Sequence, residues 1–469
     1  MELAALQDRR MALLGLGVEN QALGRWLASR GLGFAVCDAD PDRRLDADPW
    51  KGAVRNWRLG PGCFDRLHDF DLLFRSPGIP SLRPELEQAR RRGTEVSSQT
   101  ALFLERCPAP VIGITGTKGK GTTASLLDSI LRREPGLSPH LGGNIGIPPV
   151  SFLDDLSAAD VVVLELSSFQ LQDLDRSPHG AVILPVTLDH LDYHASRAEY
   201  VEAKAAICRC QGCGDWTLSN ADDATAGELA ARSPGRSLGF RAAPPLEGDG
   251  CWSEGGEIRW REDGRVESLA AVSDLRLRGI HNLANACAAA GAARLCGASA
   301  AAVGQGLSAV ESLPHRLEEV AERGGVLFVN DSLATTPEAA AAGLAAYAGR
   351  AVVLIAGGAS KGGTYEGMGT AIARSAAALV TLGEEGPAIA AAARAAGFRG
   401  PEAADCPSME AAVRGAAELA PAGGVVLLSP GCASFGMFSG YAARGEAFRA
   451  AVGRQRPEAG GAGPAGLRC

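Results

Sequence analysis

Val111-Ile112-Gly113-Ile114-Thr115-Gly116-Thr117-Lys118-Gly119-Lys120-Gly121-Thr122-Thr123 decides the fold. An apolar strand runs into a glycine-rich turn, then a lysine, two threonines and the helix-forming Ala124-Ser125-Leu126-Leu127. Glycines let successive backbone N–H groups converge on one anion. The helix N-terminus adds its dipole and Lys120 a full charge, so the order predicts a cradle for a nucleoside triphosphate. Gly121 stands where such loops place the Ser or Thr that ligates Mg²⁺.

Outward from this loop, the chain alternates strand and helix signals. At 469 residues it predicts about three domains. Hydrophobic content of 46% and charged content of 21% describe a globular protein with ample core. A net charge of −8 without a basic block argues against a nucleic-acid partner. No apolar run reaches membrane-spanning length, and the polar start, with no secretory leader, predicts a cytoplasmic protein. Cys208, Cys210 and Cys213 lie close together, but no paired Cys or His completes four ligands, so reduced thiols are expected.

The first block opens with strand 11–14, the turn Gly15-Leu16-Gly17-Val18-Glu19-Asn20, a helix to about Leu27 and a strand ending at Asp38. Asn20 occupies the third position of a G-x-G-x-x-G pattern, which weakens it as a dinucleotide fingerprint. Leu72 to Arg75 followed by Ser76-Pro77-Gly78 reads as a strand with a ligand-side turn. Cys107 to Pro110 reads as a linker. After about Glu311 a third alternating block begins, with strands near 326–329, 351–356, 378–382 and 424–428. The expected fold is α/β in three domains: a Rossmann-like domain over 1–107, a central P-loop domain with a parallel sheet over 108–311, and a second Rossmann-like domain over 312–455. Residues 456–469 read as a disordered tail.

Several clusters could carry chemistry. Gly142-Gly143-Asn144-Ile145-Gly146 makes a second glycine turn. Glu165-Leu166-Ser167-Ser168-Phe169-Gln170 follows the apolar strand 161–164, and a carboxylate at a strand end beside a phosphate loop suits Mg²⁺. Asp189-His190-Leu191-Asp192 follows another strand. Taken singly, such residues are more often caps or solvated side chains. In phosphate-loop context the balance reverses. Lys204, on an expected helix, reads alone as a surface lysine. His281-Asn282-Leu283-Ala284-Asn285, His315-Arg316-Leu317-Glu318, Asn330-Asp331-Ser332 and Gly357-Gly358-Ala359-Ser360-Lys361 complete the set.

In this order, with Ser429-Pro430 through Ser434, the motifs closely resemble the Mur ligases of peptidoglycan synthesis, within them the glutamate-adding branch, from Leu13 to about Phe448. The resemblance implies a cytoplasmic, ATP-dependent acid–amino-acid ligase joining glutamate to UDP-N-acetylmuramoyl-L-alanine through an acyl phosphate. ATP and Mg²⁺ are the implied cofactors, the two small molecules the implied partners, and a monomer the implied state. It implies that Lys120 holds the β/γ-phosphates within Gly116, Thr117, Lys118, Gly119, Gly121, Thr122 and Thr123. Glu165, His190, Thr122 and Lys204, the last as a carbamate, match the metal shell. Asn285, Arg316 and Asp331 match ATP-binding positions bridging the second and third domains, so closure over ATP is expected. Gly15, Leu16, Gly17, Val18, Asp38, Ser76, Asn144 and Ser167 match the UDP-sugar region. Thr335, Lys361, Ser434, Phe435 and Tyr441 match the glutamate region.

Departures from the family pattern are Gly121, Leu333 where many D-glutamate adders carry Lys, and Gly431 and Gly436 where Ala and Asp are common. The Thr335-Thr336-Pro337 and Ser434-Phe435-Gly436 forms also resemble variants that add L-glutamate. Family frequency favours D-glutamate. The other readings are a folylpolyglutamate-synthase-like ligase and a non-catalytic nucleotide-binding protein in which Gly121 marks a decayed loop.

Overall fold

The computed structural model describes residues 6–43, 50, 52–187, 196–277, 279–310, 315–360 and 364–455. Its strands form three sheets. The first contains β1 (Met11–Leu14), β2 (Phe34–Asp38), β3 (Val54–Leu59), β4 (Leu72–Arg75) and β5 (Glu95–Ser97), in the order β3-β2-β1-β4-β5 and parallel throughout. Side chains of β1 alternate between two cores. Met11 and Leu13 join one cluster, Ala12 and Leu14 the other, as a strand covered on both faces requires.

The second sheet is nine-stranded. Its parallel part runs through β6 (Val111–Thr115), β7 (Ser138–Gly143), β8 (Asp160–Glu165), β9 (Gly180–Ile183), β10 (Trp216–Asn220), β11 (Arg236–Arg241) and β12 (Gly250–Glu254). The antiparallel β13 (Glu257–Glu262) and β14 (Arg265–Ala271) extend one edge, giving β14-β13-β12-β11-β10-β9-β6-β8-β7. The Gly- and charge-rich 233–272 stretch is therefore sheet edge. In β13, Ile258 and Trp260 are buried between half-buried neighbours, the alternation of a strand covered on one face. β6 lies between β8 and β9, so the turn after β6 has strand ends on both sides. That is the position where ligands bind open α/β sheets.

The third sheet has the order β15-β16-β20-β17-β18-β19, from β15 (Glu318–Arg323), β16 (Val326–Asn330), β17 (Val352–Ala356), β18 (Ala376–Leu382), β19 (Glu402–Cys406) and β20 (Val425–Leu428). Only the β15–β16 pair is antiparallel among its described pairings. Val425 and Leu427 face one core and Val426 and Leu428 the other. Each such buried aliphatic side chain contributes roughly 1.5–3 kcal/mol of transfer free energy.

Two compact units emerge. One comprises residues 1–274 and 283–309, the other 275–282 and 310–469. One apolar cluster in the first unit takes side chains from the first two sheets, including Leu13, Phe74, Val111 and Leu164, and from helices beside them, including Trp26 and Phe103. No helix among the described residues is long and apolar enough to cross a membrane.

Candidate functional site: a phosphate loop with an unpartnered carboxylate oxygen

The loop between β6 and the helix Lys120–Leu131 is shaped by glycines that nothing larger could replace. Gly116 has φ +150°, and a Cβ there would sit 2.5 Å from Cβ of Leu184. Gly119, at φ +89°, caps the helix, and a Cβ there would sit 2.5 Å from Oδ1 of Asn285. Thus Asn285 lies against the loop.

Lys120 Nζ donates to the carbonyl oxygens of Gly116 and Thr117, at 3.1 and 2.9 Å. Lys204 is only 1% exposed. Its Nζ donates to Oγ1 of Thr115 at 3.3 Å and to the Gly116 carbonyl at 3.0 Å. Ser196 caps the helix Arg197–Ala205, which places Tyr200 and Lys204 four residues apart on one face. The Lys204 ammonium lies 4.6 Å from the Tyr200 ring centroid. The Thr117 hydroxyl donates to the Thr187 carbonyl at 3.0 Å, so the 2.9 Å contact with Tyr200 has the phenol as donor. A lysine that reads as surface in the sequence is therefore a buried cation under the phosphate loop.

Glu165 ends β8 and is 4% exposed. Its Oε1 accepts from Asn144 Nδ2 at 3.2 Å, and Gly143 brings the chain close, since a Cβ there would meet the Glu165 carbonyl oxygen at 2.2 Å. Its Oε2 is buried with no hydrogen-bond partner among the described residues. A Cβ on Gly121 would lie 3.3 Å from that oxygen. A buried carboxylate oxygen without a donor costs free energy unless a cation or proton meets it. The donor set fits Mg²⁺, which takes one or two carboxylates and keeps waters or phosphate oxygens for the rest. The fully buried Thr123 also has an unpartnered hydroxyl, while Thr122 is 3% exposed beside it. Among the described residues no three His, Cys, Asp or Glu cluster as a metal cage. His190 lies outside the described residues.

At the C-terminal edge of the first sheet, Leu16 N donates to Asp38 Oδ2 at 2.7 Å, and a Cβ on Gly17 would sit 3.0 Å from Ser76 Oγ. Gly15, Leu16, Gly17, Asp38 and Ser76 are thus brought together, with Val18 exposed at the helix start. Asn20, the substitute for a glycine, is buried and donates to the carbonyls of Leu14, Gly15 and Phe74, tying β1 to β4. Ser167 caps the short helix Ser168–Leu171 in a reciprocal box with Gln170, and Gln170 Nε2 donates to Glu19 Oε1 at 2.7 Å. Burial pushes the Glu19 carboxyl up to about 7, against the lowering pull of Gln170 and Arg75.

In the second unit, Asp331 follows β16 and is 6% exposed. It accepts from Ser429 Oγ at 2.7 Å and Leu317 N at 3.2 Å. Burial pushes its carboxyl up to about 7, outweighing those hydrogen bonds and the Arg316 charge. Gly343 makes room for this pair, since a Cβ there would be 2.9 Å from both Asp331 Oδ2 and Ser429 Oγ. Arg316 also faces His281, whose pKa is lowered first by desolvation and then by that charge. Arg444 is 1% exposed and donates to Ser332 Oγ and to the carbonyls of Ser332, Cys432 and Ala433. It thereby holds the Asn330–Ser332 turn against the Cys432–Ser434 turn. Ser434 is buried, Phe435 and Tyr441 are exposed, and Thr335 is bonded through its backbone to Leu333. Lys361 lies outside the described residues. Sequence reasoning passed over Glu19, Arg75, Tyr200, Ser429 and Arg444. Glu19, Arg75 and Ser429 had a signal, their places in the glycine turn, in the strand before Ser76 and in the Ser429-Pro430 motif.

Residues 114–293 match the Mur ligase middle domain and residues 315–432 the Mur ligase glutamate ligase domain. A UDP-N-acetylmuramoylalanine--D-glutamate ligase of Symbiobacterium thermophilum is 41% identical over 450 residues, 95% of this chain and 98% of the relative. One of Acetivibrio thermocellus is 36% identical over 454 residues, covering 95% and 97%. Among solved structures, the ADP complex of MurF ligase from Thermotoga maritima gives a TM-score of 0.57 at 17% identity, covering 97% of this chain and 100% of that one. UDP-N-acetylmuramate-alanine ligase from the same organism gives 0.56 at 18%, covering 95% and 99%. These two likenesses speak for the fold alone. With near-complete cover at such identity to curated relatives, the chain belongs to the Mur ligase family.

Proposed function

We propose that this chain is the ATP-dependent ligase that forms the amide bond between UDP-N-acetylmuramoyl-L-alanine and D-glutamate, in cytoplasmic synthesis of the peptidoglycan precursor. The observation that carries the reading is the unpartnered Glu165 Oε2 beside the phosphate-loop helix, in a chain 41% identical to a D-glutamate ligase. The curated relatives named here add D-glutamate, which favours that enantiomer over L-glutamate. Near-complete cover by them also leaves less room for a folylpolyglutamate-type or non-catalytic protein.

A carboxylate is a poor acylating agent. Its oxygen attacks the γ-phosphate of ATP, the bond to the β-phosphate oxygen breaks, and ADP leaves. The glutamate amine then adds to the carbonyl carbon of the acyl phosphate. The tetrahedral species expels inorganic phosphate, and the amine gives up a proton. Positioning and charge neutralisation supply most of the catalysis in such transfers.

Lys120 and the loop amides from Gly116 to Thr123 hold the β- and γ-phosphates. Glu165, His190 and a carbamate on Lys204, with Thr122 near, would hold Mg²⁺, which would supply charge neutralisation for the transferred group. Carbamylation joins CO2 to neutral Nζ with loss of one proton, turning a cation into an anion with two oxygens. Asn285, Arg316 and Asp331 are the further ATP-binding residues of this reading. Gly15, Leu16, Gly17, Val18, Asp38, Ser76, Asn144 and Ser167 hold the UDP-sugar. Thr335, Lys361, Ser434, Phe435 and Tyr441 receive glutamate, with Lys361 facing a carboxylate. The three sheets correspond to three domains, 1–107, 108–311 and 312–455, the first and last Rossmann-like, acting as a monomer.

The test is phosphate release from ATP, measured with UDP-N-acetylmuramoyl-L-alanine and with D- or L-glutamate side by side. Release that needs both substrates and prefers D-glutamate is expected. No release with either enantiomer refutes the ligase reading.

A further inference from the structure

The segment that follows Glu165 is gripped from two sides by residues that directly adjoin the two ligand turns of the first sheet. Glu19 follows Val18 of the first turn, and its Oε1 accepts from Gln170 Nε2 at 2.7 Å. With that amide nitrogen committed, Gln170 Oε1 faces Ser167 and accepts from its N at 2.8 Å and its Oγ at 3.0 Å. The Ser167 N–H, a donor only, fixes the amide orientation, because the flipped form would set N–H against N–H. Arg75 precedes Ser76 of the second turn. Its Nε donates to Asp173 Oδ2 at 2.7 Å and its Nη2 to the Phe169 carbonyl at 2.7 Å. The side chains of Arg75 and Asp173 are 0% and 2% exposed, and Gln170 is 1% exposed. Both grips therefore sit in low dielectric, where a charged hydrogen bond resists displacement. No described part of the phosphate loop makes these bonds. They run from the first sheet's turns to the residues immediately after Glu165.

We propose that Glu19 and Arg75 are positioning residues that couple occupancy of the UDP-sugar turns to the placement of Glu165. Ordering of the Gly15–Val18 and Ser76–Gly78 turns by the UDP-sugar orders residues 167–173, and with them the end of β8. Coupling of this kind is reciprocal. The UDP-sugar tightens the divalent cation, and the cation tightens the UDP-sugar. The inference rests on the proposed positions of both ligands.

The experiment uses the full chain with ATP and titrates Mn²⁺ as the metal probe, with and without saturating UDP-N-acetylmuramoyl-L-alanine and without glutamate. In the wild type the UDP-sugar lowers the Mn²⁺ dissociation constant at least about fivefold. In Glu19→Ala that factor falls to near one, while Mn²⁺ affinity without the UDP-sugar stays as in the wild type. A residue that merely stabilises the fold would change both titrations together. Gln170→Met breaks the same bond from its other end, and Arg75→Lys removes the donor to Phe169, so an unfolded variant leaves two others to measure. Coupling that survives in the folded variants, or is missing from a wild type that turns over, overturns the proposal. A wild type that fails to release phosphate with either glutamate refutes the ligase reading instead.

Discussion

The ammonium groups of Lys120 and Lys204 donate to one carbonyl oxygen, that of Gly116, at 3.1 and 3.0 Å. Two like charges on one acceptor repel each other, and burial of Lys204 removes the solvent screening between them. A carbamate at Lys204 removes the repulsion and keeps one N–H for the carbonyl. Activity of enzyme prepared and assayed in CO2-depleted buffer should fall at least about tenfold, the order of one lost charge contact. Added bicarbonate should restore it, and isotope-labelled bicarbonate should give a carbamate adduct at Lys204 seen by carbon NMR of the undenatured enzyme. Full activity without CO2 and no such adduct would remove the carbamate from the mechanism.

Gly121 points at the unpartnered oxygen of Glu165, and its backbone is helical, so a side chain fits once its neighbours give by a few tenths of an ångström. Gly121→Ser would donate to that oxygen. The variant should be more stable by about 1–2 kcal/mol in metal-free buffer, from the new hydrogen bond and the better helix residue. It should also reach half-activation at lower Mg²⁺. A Mg²⁺ titration superimposable on the wild type would place this position outside the metal's surroundings.

Asp331 carries its folded pKa raised to about 7, while an unfolded Asp titrates near ~4. The sign is fixed by this direction. Stability from the neutral acid is whole below the unfolded value, drains as pH rises between the two, and is gone above about 7. Asp331→Asn should therefore match the wild type in denaturant unfolding near pH 4 and exceed it at pH 8, by up to about 4 kcal/mol. Its ligase activity should drop sharply at every pH. A stability difference independent of pH would contradict the buried neutral acid.

Arg75 and Asp173 form a buried pair that Arg90 also approaches, at 3.7 Å. Arg75→Met leaves the carboxylate inside without its hydrogen-bonded partner and should cost about 3–5 kcal/mol. Arg75→Met with Asp173→Leu should recover most of that stability. Because it still lacks the bond to Phe169, the double variant should not recover the UDP-sugar effect on Mn²⁺. Unfolding midpoints and the metal titration together separate the two roles.

The three-sheet α/β fold was readable because parallel strands buried on both faces write themselves as apolar runs: those read at 111–115, 161–164, 351–356 and 424–428 all became strands, to within one residue at either end. Strands β3, β15 and β19 escaped because they lie at sheet edges with exposed, charged residues, where pattern carries little signal. The glycine turn with Asn20 showed the opposite failure. A missing glycine weakened the motif on paper, but in space the asparagine amide replaces it by tying three carbonyls together.

By itself the sequence determined the phosphate loop, the parallel sheets and the set of polar residues at strand ends, because glycine conformation, strand burial and helix capping are local properties of neighbouring residues. Tertiary structure alone decided what those residues face. It turned Lys204 from a surface lysine into a buried cation, left Glu165 Oε2 without a donor beside Gly121, raised Asp331 through burial, and joined Glu19 to Gln170 across 151 positions of chain. The physical reason is that desolvation and hydrogen-bond partnership depend on which distant segments meet, and no window of sequence contains both members of such a meeting.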